Sequence, residues 1–192
     1  ARGDSPVFLE HFLNFFENEF FPYLKEHDIK HVIHMGDLMD RRKFVNFLTL
    51  KNVRDRFVQR IIDENISTHI IIGNHDIYFR NTNDVNSVEQ LFDGDSEFVK
   101  FYTEPTTIEI GDKKLDLLPW INRGNKEATL DFLRNTTSHV CFGHLEITGH
   151  MMLPGVKCEG GLDPKFFKKY KKVYSGHFHT KSSDKNVSYL GT

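Results

Sequence analysis

The chain has 192 residues, with 25 Lys and Arg against 27 Asp and Glu, for a net charge of −2. That balance excludes a domain holding nucleic acid by bulk charge alone, and 39% hydrophobic content with 18 Phe excludes wholesale disorder. Two well-separated cysteines, Cys141 and Cys158, give no disulfide framework and suit a reducing, cytoplasmic compartment. No run approaches the roughly 20 apolar residues of a membrane span.

No repeat or linker interrupts the chain, so a single domain over residues 1–192 is expected. Ser5 to His27 reads as a helix. Ser5 can cap it, Pro6 suits its first turn, and Phe8, Phe12, Phe15, Phe16 and Phe20 recur at helical spacing. Pro22 is placed to kink or end it. His31 to Met35 is a short strand entering a Gly-Asp turn, and Phe44 to Asn65 is again helix-like. Thr68 to Ile72 is a buried strand by its β-branched content, ending at Gly73.

Ser87 and Gln90 have capping-box spacing for a short helix through Phe92. Thr106–Ile110 and Lys113–Leu118 read as a hairpin about Gly111-Asp112. Lys126 to Leu133 is helical, Ser138 to Phe142 a strand, and Phe166 to Tyr170 a short helical piece. Lys172–Tyr174 and Val187–Tyr189 are the last two strands. Helices alternate with strands before strands dominate, so the class is α/β with a mixed sheet or two packed sheets.

Four strand ends carry the same kind of residue. They run into Gly36-Asp37-Leu38-Met39-Asp40, Gly73-Asn74-His75-Asp76, Gly143-His144 and Gly176-His177-Phe178-His179. In each, a glycine lets the backbone turn sharply and a metal-ligand residue follows. Singly, these are turn signals. Ligands bind beyond the carboxyl ends of strands in open α/β sheets, so four such junctions on one sheet edge would gather Asp, Asn and two His. The conjunction points to a divalent metal site. The basic run from Lys165 to Lys172 reads as a solvated face. Trp120 reads as a packing residue, and the Phe ridge of the first helix as core.

In this order and spacing the motifs resemble the calcineurin-like metallophosphoesterase superfamily. Arg41-Arg42-Lys43, Leu118-Pro119-Trp120, Tyr174-Ser175-Gly176-His177-Phe178-His179-Thr180 and Tyr189-Leu190-Gly191-Thr192 are similar to the SbcD-type DNA repair nucleases and their phage versions. The resemblance implies a sandwich of two mixed β-sheets flanked by helices. It also implies a centre of two divalent ions, usually Mn2+. Asp37 matches the carboxylate bridging both ions, Asn74, His144 and His177 the remaining ligands of one, and His179 a ligand of the other. His75 matches the catalytic histidine that approaches the phosphate, Asp40 the carboxylate that orients it, and Asp76 a structural anchor. Arg41 and Arg42 are candidate DNA-phosphate contacts.

The family begins with an Asp-x-His motif that supplies the second ion, and none occurs near this N-terminus. Ala1-Arg2-Gly3-Asp4 reads as the loop just after it, and Gly191-Thr192 stops where the family continues. The expectation is a core truncated at both ends, lacking its first strand, with one ion site incomplete. The implied partners are DNA, an SbcC-type ABC ATPase and a second copy in a homodimer, with no membrane. The implied activity is DNA exo/endonuclease hydrolysis in break processing or recombination. A calcineurin-like phosphatase, a cyclic-nucleotide phosphodiesterase, and a nuclease-dead scaffold binding DNA or the ATPase are the rivals.

Overall fold

Residues 5–92 and 96–191 are described in the computed structural model. Ala1 to Asp4 and Thr192, read above as the segments next to missing motifs, lie outside the described residues. Pro6 opens α1 (Pro6–Phe15), with Ser5 in the capping position but making no side-chain cap bond. The helix widens into a π turn at Phe16–Phe20 and resumes as α2 (Phe21–Glu26). Pro22 accounts for the widening, because it has no N–H to close an ordinary turn onto Asn18. Phe16, Phe20 and Phe21 turn inward around Phe57, with Phe16 and Phe57 ring centres 4.6 Å apart. Phe8, Phe12 and Phe15 face outward.

The second long helix starts later than its apolar pattern suggests. Asn46 caps α3 (Phe47–Val53) by accepting the Leu48 N–H at 2.8 Å, which leaves Phe44 and Val45 in the approach. A π turn at Arg54–Val58 leads into α4 (Gln59–Asp63). Strands β1 (His31–His34), β2 (Ser67–Ile71) and β3 (Val99–Tyr102) form a three-stranded sheet in that order. It is purely parallel, not mixed as expected. Helix α5 (Ser87–Leu91) is capped one residue earlier than the Ser87/Gln90 reading. Asn86 accepts the Glu89 N–H and donates to the Glu89 carboxylate.

Strands β4 (Thr106–Ile110) and β5 (Lys113–Leu118) form the expected hairpin, with Gly111 at φ +60°. After α6 (Lys126–Asn135) come β6 (Val140–Gly143) and a small hairpin of β7 (Met151–Leu153) and β8 (Val156–Lys157). The piece expected at Phe166–Tyr170 is a 3-10 turn at Pro164–Phe167. Strands β9 (Lys172–Ser175), β10 (Ser182–Asp184) and β11 (Val187–Tyr189) complete a six-stranded mixed sheet ordered β10-β11-β9-β6-β5-β4. Fully buried Asp116 on β5 accepts the hydroxyls of Thr107, Thr136 and Tyr170 at 2.6–2.7 Å and locks this sheet to its connections.

Each sheet has its own apolar core. Phe21, Phe57, Ile61, Ile70 and Ile72 fill one, and Leu118, Leu133, Leu145, Phe167 and Tyr189 the other. Among the described residues, no helix is long and apolar enough to cross a membrane.

Candidate metal centre

The ligand-bearing strand ends belong to two sheets, which corrects the single edge expected from the sequence. Asp37 and Asn74 follow β1 and β2 of the parallel sheet, and His144 and His177 follow β6 and β9 of the mixed one. Pairing between distant strands decides this, and strand composition does not reveal it. The two sheets are tied where their carboxyl ends meet. Trp120 donates its main-chain N–H to the Ile72 carbonyl at 2.8 Å, and His144 Nδ1 donates to the Met35 carbonyl at 2.7 Å.

Across that junction four side chains converge. His144 Nε2 lies 3.3 Å from Asp37 Oδ2 and 2.9 Å from Asn74 Oδ1. His177 Nδ1 lies 2.9 Å from the same Asn74 oxygen and 3.2 Å from His144 Nε2. Ligand atoms of Asp37, His144 and His177 all lie within 4.8 Å of one another, so this group could hold a metal ion. One carboxylate oxygen, one amide oxygen and two imidazole nitrogens form a borderline donor set suited to a divalent first-row ion.

Backbone strain accompanies this placement. Asp37 and His177 both sit in the left-handed region, at φ +55° and +72°, which non-glycine residues seldom adopt. Gly36, at φ +89°, and Gly73 make the approach possible, because a Cβ on Gly73 would run into the main chain and carboxylate of Asp37. Buried Asp76 is the anchor expected of it. Its Oδ2 accepts the N–H groups of Asp37 and Gly73, both at 2.8 Å, and its Oδ1 that of Met39 at 3.1 Å. In return, the His75 main-chain N–H donates to Asp37 Oδ1 at 2.8 Å.

Burial works to raise the Asp37 carboxyl, but the hydrogen bond and charge of His144, with the His75 N–H, hold it below the usual range. Burial likewise opposes charge on His144, and Asp37 outweighs it to raise the imidazole. Asp76 is pushed up to about 6 by burial, against the pull of its N–H donors. His34, whose Nδ1 is buried without a hydrogen-bond partner, is pushed down to about 4 by burial, with positive His144 nearby.

The other expected residues lie around this centre in different ways. His75 is exposed, and its Nδ1 donates to the main-chain carbonyl of Asp40 at 2.7 Å. Asp40 therefore holds His75 through its backbone, where the carboxylate was expected, because the tight turn after Asp37 presents that carbonyl. His179 is exposed and stands outside the converging group. Arg41 is exposed, while Arg42 is partly buried with Nη1 lacking a hydrogen-bond partner.

Two neighbours were not read as part of the site. Trp120 has its ring centre 5.0 Å from that of His177 and 6.0 Å from that of His144, so it walls the histidines as well as packing. Glu146 accepts a hydrogen bond from His177 Nε2 at 3.0 Å. Its only sequence signal is the spacing of two residues beyond His144, which is common in any strand exit.

Hard and borderline ligands gathered at the carboxyl ends of parallel strands define a class of metal-dependent phosphoesterases, and the chain belongs to one of them. It is a member of the calcineurin-like phosphoesterase family, whose model matches residues 7–181. Over 170 residues it is 37% identical to exonuclease subunit 1 of Enterobacteria phage T4. The alignment covers 88% of this chain and 49% of the phage protein, so the chain spans about half the length of the relative it matches. Among solved structures, an archaeal phosphodiesterase aligns with a TM-score of 0.37 at 15% identity, covering 88% of this chain and 70% of its own. A hypothetical protein from Thermus thermophilus aligns at 0.46 and 16%, covering 88% and 66%.

Proposed function

We propose that this chain is the metallophosphoesterase core of an SbcD-type DNA exo/endonuclease subunit. It hydrolyses phosphodiester bonds in double-strand-break processing or recombination, in the cytoplasm, with an SbcC-type ABC ATPase as partner. The observation that carries this reading is the convergence of Asp37, Asn74, His144 and His177 beside exposed His75. The identity to a phage exonuclease subunit supports DNA as the substrate.

In this reading Asp37, Asn74, His144 and His177 would hold one Mn2+, and Asp37 and His179 would be the residues offered to a second ion. Divalent ions bound there supply a water of lowered pKa and neutralise charge on the phosphate. The chain's own groups do the rest. Asp37 offers two carboxylate oxygens at a point fixed by Asp76. His75, whose Nδ1–H is held by the Asp40 carbonyl, would in its imidazolium form carry an Nε2 proton to give to the leaving oxygen. Arg41 and Arg42 present guanidinium donors to phosphates along the strand.

Tyr78 and Phe79 are exposed three and four residues beyond His75, with Lys43 Nζ 4.9 Å from the Tyr78 ring centre. Exposed rings beside a cation suit unpaired bases at a DNA end. The outward edge of α1, with Phe8, Phe12 and Phe15, supports a homodimer face.

The test is hydrolysis of linear duplex and single-stranded DNA with manganese, beside a phosphomonoester and a cyclic nucleotide. DNA cleavage that needs manganese and exceeds the other substrates is expected. Preference for the monoester or cyclic nucleotide would replace this reading with a phosphatase or cyclic-nucleotide phosphodiesterase. DNA or ATPase binding with no hydrolysis would replace it with a scaffold.

A further inference from the structure

The two histidines of the centre are each held by the nitrogen that faces away from it. His144 presents Nε2 inward while its Nδ1 donates to the Met35 carbonyl at 2.7 Å. His177 is oriented the other way, with Nδ1 toward Asn74 and His144 and Nε2 donating to Glu146 Oε1 at 3.0 Å. A neutral imidazole carries one proton, so an acceptor on the outer nitrogen decides which nitrogen keeps its lone pair for a metal.

We propose that Glu146 is a positioning residue for His177. It fixes the Nε2–H tautomer and the ring orientation, so that Nδ1 is offered as the ligand atom. This inference rests on the assignment of His177 as a metal ligand made above.

The backbone prepares Glu146 for that role. Leu145 and Ile147, on either side, are fully buried and point into the core. The Tyr189 hydroxyl donates to the Leu145 carbonyl at 3.0 Å and accepts the Ile147 N–H at 3.1 Å. Ser175 Oγ accepts the Leu145 N–H at 3.1 Å, and the Glu146 carbonyl accepts the Leu162 N–H at 2.8 Å. Alternation along this extended segment turns the Glu146 side chain away from that core, where His177 meets it. Trp120 packs against the His177 ring and limits its rotation.

A carboxylate on the outer nitrogen of a metal-binding histidine raises ligand basicity as well as fixing orientation. Its loss typically costs about 10–100-fold in metal affinity. Glu146 is exposed, so its replacement should leave the fold intact.

The experiment is calorimetric manganese binding to the wild type, Glu146→Ala, Glu146→Gln and His177→Ala. It is joined by 15N chemical shifts of the His177 ring in metal-free protein at mildly alkaline pH. Glu146→Ala should weaken binding by about 10–100-fold and shift His177 away from the Nε2–H tautomer. Glu146→Gln, which keeps an oxygen acceptor, should restore the tautomer and most of the affinity. Wild-type affinity or an unchanged tautomer in Glu146→Ala would overturn the proposal while leaving the ligand assignment standing, provided His177→Ala loses binding. If His177→Ala binds manganese as the wild type does, the ligand assignment fails and this inference falls with it.

Discussion

The buried carboxylate of Asp76 holds Asp37 by its backbone, accepting its main-chain N–H at 2.8 Å while Asp37 sits at φ +55°. The same carboxylate takes the N–H groups of Gly73 and Met39. A strained residue persists where its surroundings over-determine it, and here one side chain does so for the turn that aims a metal-ligand candidate. Asp76→Ala would leave three N–H groups without their acceptor, a loss of roughly 3–5 kcal/mol. Asp76→Asn should fall between, because its amide NH2 faces donors. Chemical denaturation reads the stability and calorimetry reads manganese binding. A loss within about 0.5 kcal/mol, the range of an ordinary surface substitution, would contradict the anchoring role.

His144→Ala and His177→Ala remove nitrogens that lie 3.2 Å apart at the centre of the cluster. Each should weaken manganese binding by at least about 100-fold, more than the loss of a supporting group. The metal-induced rise in unfolding temperature should vanish with it. A ligand at a hundred times its Kd stabilises the wild type by about 2.7 kcal/mol, which a thermal scan resolves. Unchanged binding in both variants would refute the ligand assignment.

The four junctions were legible because each places a short run containing β-branched or aromatic residues ahead of a glycine and a polar residue of ligand type. Composition and order thus pointed to Asp37, Asn74, His144 and His177, whose side chains converge in the structure. Their division between two sheets was not readable, since it depends on β6 pairing in parallel with β5 and β9 across long connections. Strands β3 and β10, of four and three residues, are too short to show a period. Helix starts moved with their caps: Asn46 sets the start of α3 beyond Phe44, and Asn86 holds the bond expected of Ser87. Glu146 was invisible because its role depends on Tyr189, more than forty residues later, gripping the chain on both sides of it.

His75 gives a separable prediction, because its hydrogen bond to the centre comes from its main-chain N–H. Its imidazole is exposed and held at Nδ1 by the Asp40 carbonyl, so the side chain can be removed without touching the converging ligands. His75→Ala should keep manganese affinity within about threefold, since it deletes no ligand atom. It should lower DNA cleavage by about 10²–10⁴-fold, the usual contribution of a positioned acid or base. Calorimetry and single-turnover cleavage on the same preparation separate the two effects. Full turnover in the variant would exclude His75 from proton transfer.

His34 supplies a test of how burial near the centre couples to stability. Its Nδ1 is buried without a hydrogen-bond partner, and burial pushes its pKa from the ordinary 6.5 to about 4. The unfolded chain takes up a proton near pH 6.5, while the folded chain resists until about pH 4. The unfolded state therefore binds more protons across that window, and stability rises with pH through it. The contribution of neutral His34 is complete above pH 6.5 and is lost as pH falls through 4. A depression of that size corresponds to at most about 3 kcal/mol, and partial solvent access at the ring reduces it to on the order of 1–3 kcal/mol. His34→Phe keeps an aromatic ring and removes the titration, so the fall in unfolding free energy between pH 7 and pH 4.5 should shrink by that amount in metal-free protein. Asp37 and His144 titrate in both proteins, and the comparison cancels them to first order. Equal pH dependence in the two would show that His34 finds a proton acceptor on folding, and would remove it as a source of acid sensitivity.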